Sequence, residues 1–225
     1  MLLQLKINEK IFLRDPQETE LGRKIISKSI AMIDTMGLEA FTFKKLSAEI
    51  DSTEASIYRY FENKHKLLVY LIAWYWHWLE YRLVFCTNNI PEAADRLKKI
   101  INLITEEKSY DDQFENVDET ALQRIVINEF DKTFLNKNVD EYNKSGSFRA
   151  FKSLCEKVAD VILEINPDYL YAHTLASTAI EAAHHQIFFN DHLPRLTDHH
   201  KLGDNPYEQN YEFILHMITK TISKD

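Results

Sequence analysis

The sequence predicts an all-helical protein, and three observations carry that prediction. The 225 residues include only four Gly and five Pro, so punctuation is sparse. Apolar residues recur at three- and four-residue spacing over long stretches instead of alternating. Helix-forming runs begin at recognisable caps and stop at Gly, Asn or Pro signals. A hydrophobic fraction of 45% is enough to bury a sizeable core in one large or two small domains.

Residues 1–14 form an arm in which Leu3, Leu5 and Ile7 alternate, with Lys6, Lys10 and Arg14 spaced along it. It reads either as a segment packed on the body or frayed, as chain ends commonly are, or as a basic arm on a phosphate backbone. The first helix is expected to start at Asp15-Pro16-Gln17-Glu18, with Asp15 as N-cap, Pro16 at the first helical position and Glu18 completing a capping box. Gly37 closes it.

Residues 41–68 then read as two short helices joined by a tight turn. Thr42 caps the first, which places Phe43, Leu46 and Ile50 on one side. Asp51 and Ser52 make the turn, and Asp tolerates the left-handed conformation better than most residues. Thr53 caps the second helix, which is predicted to turn Ile57 and Phe61 inward and Glu54, Ser56, Tyr58 and Tyr60 outward. One face packs and the other offers hydrogen-bonding groups, the layout of a helix-turn-helix.

A long helix follows from Lys64 to about Phe85. Trp74, Trp78, Tyr81 and Phe85 form one stripe, Ile72, Trp76 and Leu83 a second, Tyr75 and Leu79 a third, so the helix should be largely buried. The first stripe is either core or the lining of a ligand site, and the same residues can serve both. Further helices are expected over 91–107, 118–135, 148–165 and 168–189, with Asn166-Pro167 starting the last of these, and then a C-terminal one. Ala172, Ala176, Ala179 and Ala183 make a smooth stripe, and Tyr211, Leu215, Ile218 and Ile222 a larger one. Packing within the chain and pairing of two chains in a four-helix interface explain these stripes equally well.

Residues 19–68 resemble the TetR family of bacterial transcriptional repressors. The likeness is carried by GRKIISKSIAMIDTMG, Phe41-Thr42, the run Ser56-Ile57-Tyr58-Arg59-Tyr60-Phe61, and Asn63-Lys64 leading to Leu67-Leu68. It implies a homodimer with a DNA-binding domain at 1–68 and an effector-binding and dimerisation domain at 69–225. Double-stranded operator DNA and an unidentified small-molecule effector would be its partners, with no cofactor and no enzymatic activity. Carried over by position, the DNA contacts fall on Thr42, Lys44, Thr53, Glu54, Ala55, Ser56, Tyr58, Tyr60 and Lys64. The dimer interface falls on the Ala172 and Tyr211 stripes, which favours pairing of chains. Where the family turn carries Gly and an apolar residue, this chain has Asp51 and Ser52; Glu54 stands where a basic or amide residue is more usual.

The net charge of −8 is unevenly spread. Residues 19–68 hold eight Lys or Arg against seven Asp or Glu, whereas 69–225 hold 16 against 25. Charge alone therefore does not point to nucleic acid. With no signal peptide, and with an apolar run at Leu67–Leu79 that is interrupted by His77 and too short for a bilayer, the sequence predicts a cytoplasmic protein without a membrane partner. Cys86 and Cys155 lack metal-type spacing.

Seven of nine histidines follow residue 172: His173, His184, His185, His192, His199, His200 and His216. Glu181 and His185 sit one helical turn apart, so a metal-sensing regulator is an alternative, set against singly satisfied or solvated histidines. Two Glu-x-x-His strings, Glu62 to His65 and Glu181 to His184, match half of a di-iron pattern but are short enough to arise by accident. No nucleophile elbow, P-loop or dinucleotide fingerprint occurs. A helical interaction module that does not bind DNA is the remaining alternative.

Overall fold

The computed structural model describes residues 4–223, the His200 side chain excepted; Leu3 of the arm lies outside them. Its regular elements are helices, in the order α1 (Glu20–Ala40), α2 (Phe43–Glu49), α3 (Glu54–Tyr58), α4 (Lys64–Thr87), α5 (Ala93–Thr105), α6 (Glu119–Glu129), α7 (Asp131–Phe134), α8 (Val139–Ser145), α9 (Arg149–Ile165), α10 (Ala172–His192), α11 (His199–Leu202) and α12 (Pro206–Ile222). No strand occurs among the described residues, and none of their helices is long and apolar enough to cross a membrane. Two compact units form, one from Met1–His77 and Lys108–Ala150, the other from Trp78–Glu107 and Phe151–Asp225.

In the first unit α1 begins later than the Asp15 signal predicts. Asp15 does cap, accepting from the Gln17 N–H at 2.8 Å, but what it caps is a separate 3-10 turn, Pro16–Glu18. Thr19 is extended, and its hydroxyl accepts from Gly22 N at 3.0 Å to start α1. A Cβ at Gly22 would lie 2.3 Å from the Pro16 carbonyl oxygen, so only glycine lets the turn lie this close to α1. Gly37, at φ +73°, kinks the helix near its end. The Leu38 N–H beyond the kink donates to the Glu129 carboxylate at 3.0 Å, tying α1 to α6.

The described part of the arm, residues 4–14, is packed on this unit. Ile7 and Ile11 are buried, Gln17 Nε2 donates to Leu5 O, Asn8 Nδ2 to Ser145 O, and Leu13 N to Tyr60 O. Behind the helix-turn-helix, Ile25, Leu46, Ile57 and Phe61 are all inaccessible to solvent. The helix expected over 118–135 keeps its start, with Asp118 accepting from Ala121 N, but divides into α6 and α7 at Phe130.

Along α4 every residue from Leu67 to Leu79 is buried except His77, as a helix apolar on all sides requires. In the second unit α12 packs against α10, α5 and α11. Asn166-Pro167 does not start α10. Asn166 is buried, its Oδ1 accepts from Asp168 N and its Nδ2 donates to Ile222 O, so it forms a turn that holds the end of α12.

The alanine stripe corrects the interface expectation. Ala172, Ala176, Ala179 and Ala183 are between 0% and 4% exposed within a single chain, and Ile218 and Ile222 are equally buried. α10 packs against α12 and α5, and Asn210 on α12 donates to the Ala183 carbonyl at 2.8 Å. Of the eight positions only Tyr211 and Leu215 keep appreciable accessible surface.

Candidate nucleic-acid interface

The geometry of 42–64 is built by short-range capping over a rigid core. Thr42 accepts from Lys45 N at 3.2 Å and starts α2. Asp51 adopts φ +52°, and Ser52 N donates back to Ser47 O at 2.9 Å, which closes the turn without glycine. Thr53 accepts from Ser56 N at 3.2 Å and shares a 2.9 Å bond with the Ser56 hydroxyl, so α3 starts with two linked hydroxyls. Ile57 faces the core with no exposure, while Thr53, Glu54, Ala55, Tyr58 and Arg59 are exposed and Ser56 is half-buried. The Tyr58 ring meets buried Phe43 edge-on at 5.0 Å, yet 48% of the residue remains open. Packing thus holds this side chain in place on the outer face.

Two expected contacts are placed otherwise. Tyr60 points inward: it is 2% exposed and its hydroxyl bonds Thr19 Oγ1 at 2.7 Å, because α3 ends at Tyr58 and the chain then turns into the core. Lys64 is half-buried, and its ammonium donates to the carbonyls of Leu38, Glu39 and Phe41 at 2.8, 3.1 and 3.2 Å. An ammonium has three N–H donors, so Lys64 caps the end of α1 with all of them. Other cations are similarly engaged. Lys24 donates to Ile50 O, Lys45 to Ala40 O, and Lys28 pairs with Glu49 at 3.0 Å. Lys44 and Arg59 are exposed on this face; Arg59, whose Nη2 donates to Ser56 Oγ, was not singled out by sequence pattern although its charge next to Tyr58 is a signal for it.

The aromatic stripe of α4 does not line one space. Trp78 is fully buried, with the Arg82 guanidinium 5.1 Å from its ring centre, whereas Phe85 is 65% exposed and lies against Tyr81 at 4.6 Å. Of the four, Trp74 borders a cavity about 240 Å³ in volume inside the first unit. Tyr70 and Phe114 share that cavity. Among the histidines, His184 and His199 are buried, and burial lowers the His199 pKa. His173, His192 and His216 are exposed, and Glu181 and His185 are half-buried on α10. His65 stacks on Tyr142, over whose ring Lys66 also sits, 4.6 Å from the centre.

Residues 25–71 match the family model of bacterial regulatory proteins, tetR family. No curated protein matches the chain. Among solved structures, the ketosteroid transcriptional regulator KstR2 of Mycobacterium tuberculosis aligns with TM-score 0.59 at 16% identity, over 94% of this chain and 100% of that one. AibR in complex with isovaleryl coenzyme A and operator DNA aligns at 0.59 and 13%, over 87% and 97%. The fatty acid degradation regulator FadR from Bacillus halodurans aligns at 0.59 and 14%, over 87% and 92%. At such identities the likeness speaks for the fold: an N-terminal helix-turn-helix followed by a larger helical region.

Proposed function

We propose that this chain is a DNA-binding transcriptional regulator of the TetR family, a repressor that holds a two-fold operator as a homodimer and is released by a small-molecule effector. The observation that carries this reading is the α2-turn-α3 unit, whose inner face is core and whose outer face offers Thr53, Ser56, Tyr58 and Arg59. Residues 1–68 serve as the reading head and 69–225 as the effector and dimer region. Thr42, Lys44, Thr53 and Arg59 bond phosphates and set the register, while Glu54, Ala55, Ser56 and Tyr58 approach base edges. Glu54 suits a cytosine amino group and Ala55 a thymine methyl. Tyr60 and Lys64 support this surface from beneath. Dimerisation uses the outer faces of α10 and α12, where Phe213 is 42% exposed and Tyr211 and Leu215 are half-buried.

The AibR complex, which contains operator DNA and an acyl coenzyme A, supports pairing DNA with a small ligand in this fold. Release requires the effector to bind best the state whose reading heads misfit the operator. The test is fluorescence anisotropy on DNA from upstream of the protein's own gene, across salt concentrations. Specific binding at low salt is expected, and Tyr58→Phe should weaken it about fivefold, the worth of one hydrogen bond, at unchanged Tm. Absence of any sequence-specific binding would leave the interaction-module reading in its place.

A further inference from the structure

We infer that the 240 Å³ cavity of the first unit is a binding site for a small carboxylate with an apolar ring or branched body. The chemistry of its wall is divided in two. Ile26, Trp74, Phe114 and Val117 supply an apolar side, on which Trp74 and Phe114 meet edge to face at 5.5 Å and 87°. Gln4, Gln17, Arg23, Tyr70, Glu115 and Asn116 supply the polar side, of which Arg23 and Tyr70 are the charged donor and the phenol donor.

Tyr70 has no solvent exposure, and its hydroxyl has no hydrogen-bond partner among the described residues. Buried hydroxyls are ordinarily paired, because an unpaired one forfeits its hydration for nothing. Burial, and next the nearby Asp15 carboxylate, push the phenol far above its ordinary pKa, so it remains a donor at every physiological pH. Arg23 is half-buried on α1 and donates through Nη1 to the Gln17 carbonyl at 2.9 Å. No carboxylate pairs with it among the described residues. Asp15 accepts from Gln17 N, and Glu115, on the rim, is exposed. A guanidinium and a phenol bordering one space are two donors for the two oxygens of a carboxylate, and the charged pair places that group at the Arg23 end. The volume lies below the roughly 300–1,000 Å³ of drug-sized sites, which limits the occupant to a small acid.

The site borders the reading head through α1, which also carries Lys24, the donor to the end of α2. An occupant that shifts α1 therefore acts on α2 and α3 through bonds within one unit. This consequence rests on the regulator reading; the binding itself does not.

The experiment is calorimetric titration of the full chain with phenylacetate, and with phenylacetamide as the uncharged isostere, alongside Tm. Saturable phenylacetate binding that raises Tm is expected, with the amide at least about tenfold weaker because it lacks the charge-assisted pair. Arg23→Gln should abolish the preference for the acid. Tyr70→Phe should weaken phenylacetate about fivefold yet leave the Tm of the unliganded protein unchanged or higher, since the hydroxyl removed has no partner to lose. No saturable binding, equal binding of acid and amide, or indifference of affinity to both variants would overturn the site. Anisotropy on operator DNA is the separate arm. Ligand binding without any DNA binding would refute the regulator reading and leave the site standing.

Discussion

The helix-turn-helix of residues 42–61 and the alanine stripe of α10 look alike in sequence, each an apolar face with a more polar one behind it, yet they serve opposite ends. In the first, Ile57 and Phe61 go to the core and the polar face of α3 stays outside. In the second, the smooth face that suits a partner chain is buried within its own chain, in which α10 packs against α12 and α5. An apolar stripe thus says that a helix is covered. What covers it depends on which elements the rest of the chain brings within reach.

The largest test of this contrast is Ile57→Ala. Removing a fully buried aliphatic side chain should cost about 3 kcal/mol in denaturant unfolding and undock α3. If stability were unaffected, α3 would be held by its caps alone, and the parallel with α10 would fail.

Ala176→Leu comes next. Overpacking a residue with no exposure should destabilise the protein by about 2 kcal/mol, independently of protein concentration. A loss that appeared only as weaker self-association would return the stripe to the subunit interface.

Lys64→Met separates support from contact within the helix-turn-helix. Loss of its three carbonyl bonds should lower stability by about 1–2 kcal/mol and leave the salt dependence of DNA binding as it was. A salt slope reduced by about 1 at unchanged stability would make Lys64 a phosphate contact after all.

Smallest is Thr53→Ala, which removes an exposed N-cap. It should cost about 1 kcal/mol in thermal unfolding and weaken DNA binding further by fraying the first turn of α3.

The parts legible beforehand were those set by neighbours in sequence. Thr42 and Thr53 are caps in the structure, Asp51 takes the left-handed conformation, and the stretch Leu67–Leu79 of α4 is buried apart from His77. These follow from backbone sterics and from donors within three residues. The misplacements are of another kind. Tyr60 shares a run with exposed Tyr58, and only the end of α3 between them turns it toward Thr19. Trp74 and Phe85 share a stripe, but one borders a cavity and the other meets solvent. Arg23 and Tyr70 are 47 positions apart, and no local pattern joins them.

The amino-acid sequence by itself determined the helical class, the caps, the turn and the likeness to the TetR reading head, because each depends on interactions within a few residues. Tertiary structure alone decided how the exposed and buried roles were divided: that Lys64 directs its donors to α1, that the alanine stripe is buried in its own chain, and that an arginine and a buried phenol border one cavity. Burial and long-range hydrogen bonds depend on which surfaces meet, and residues far apart in the chain meet only once the helices have packed.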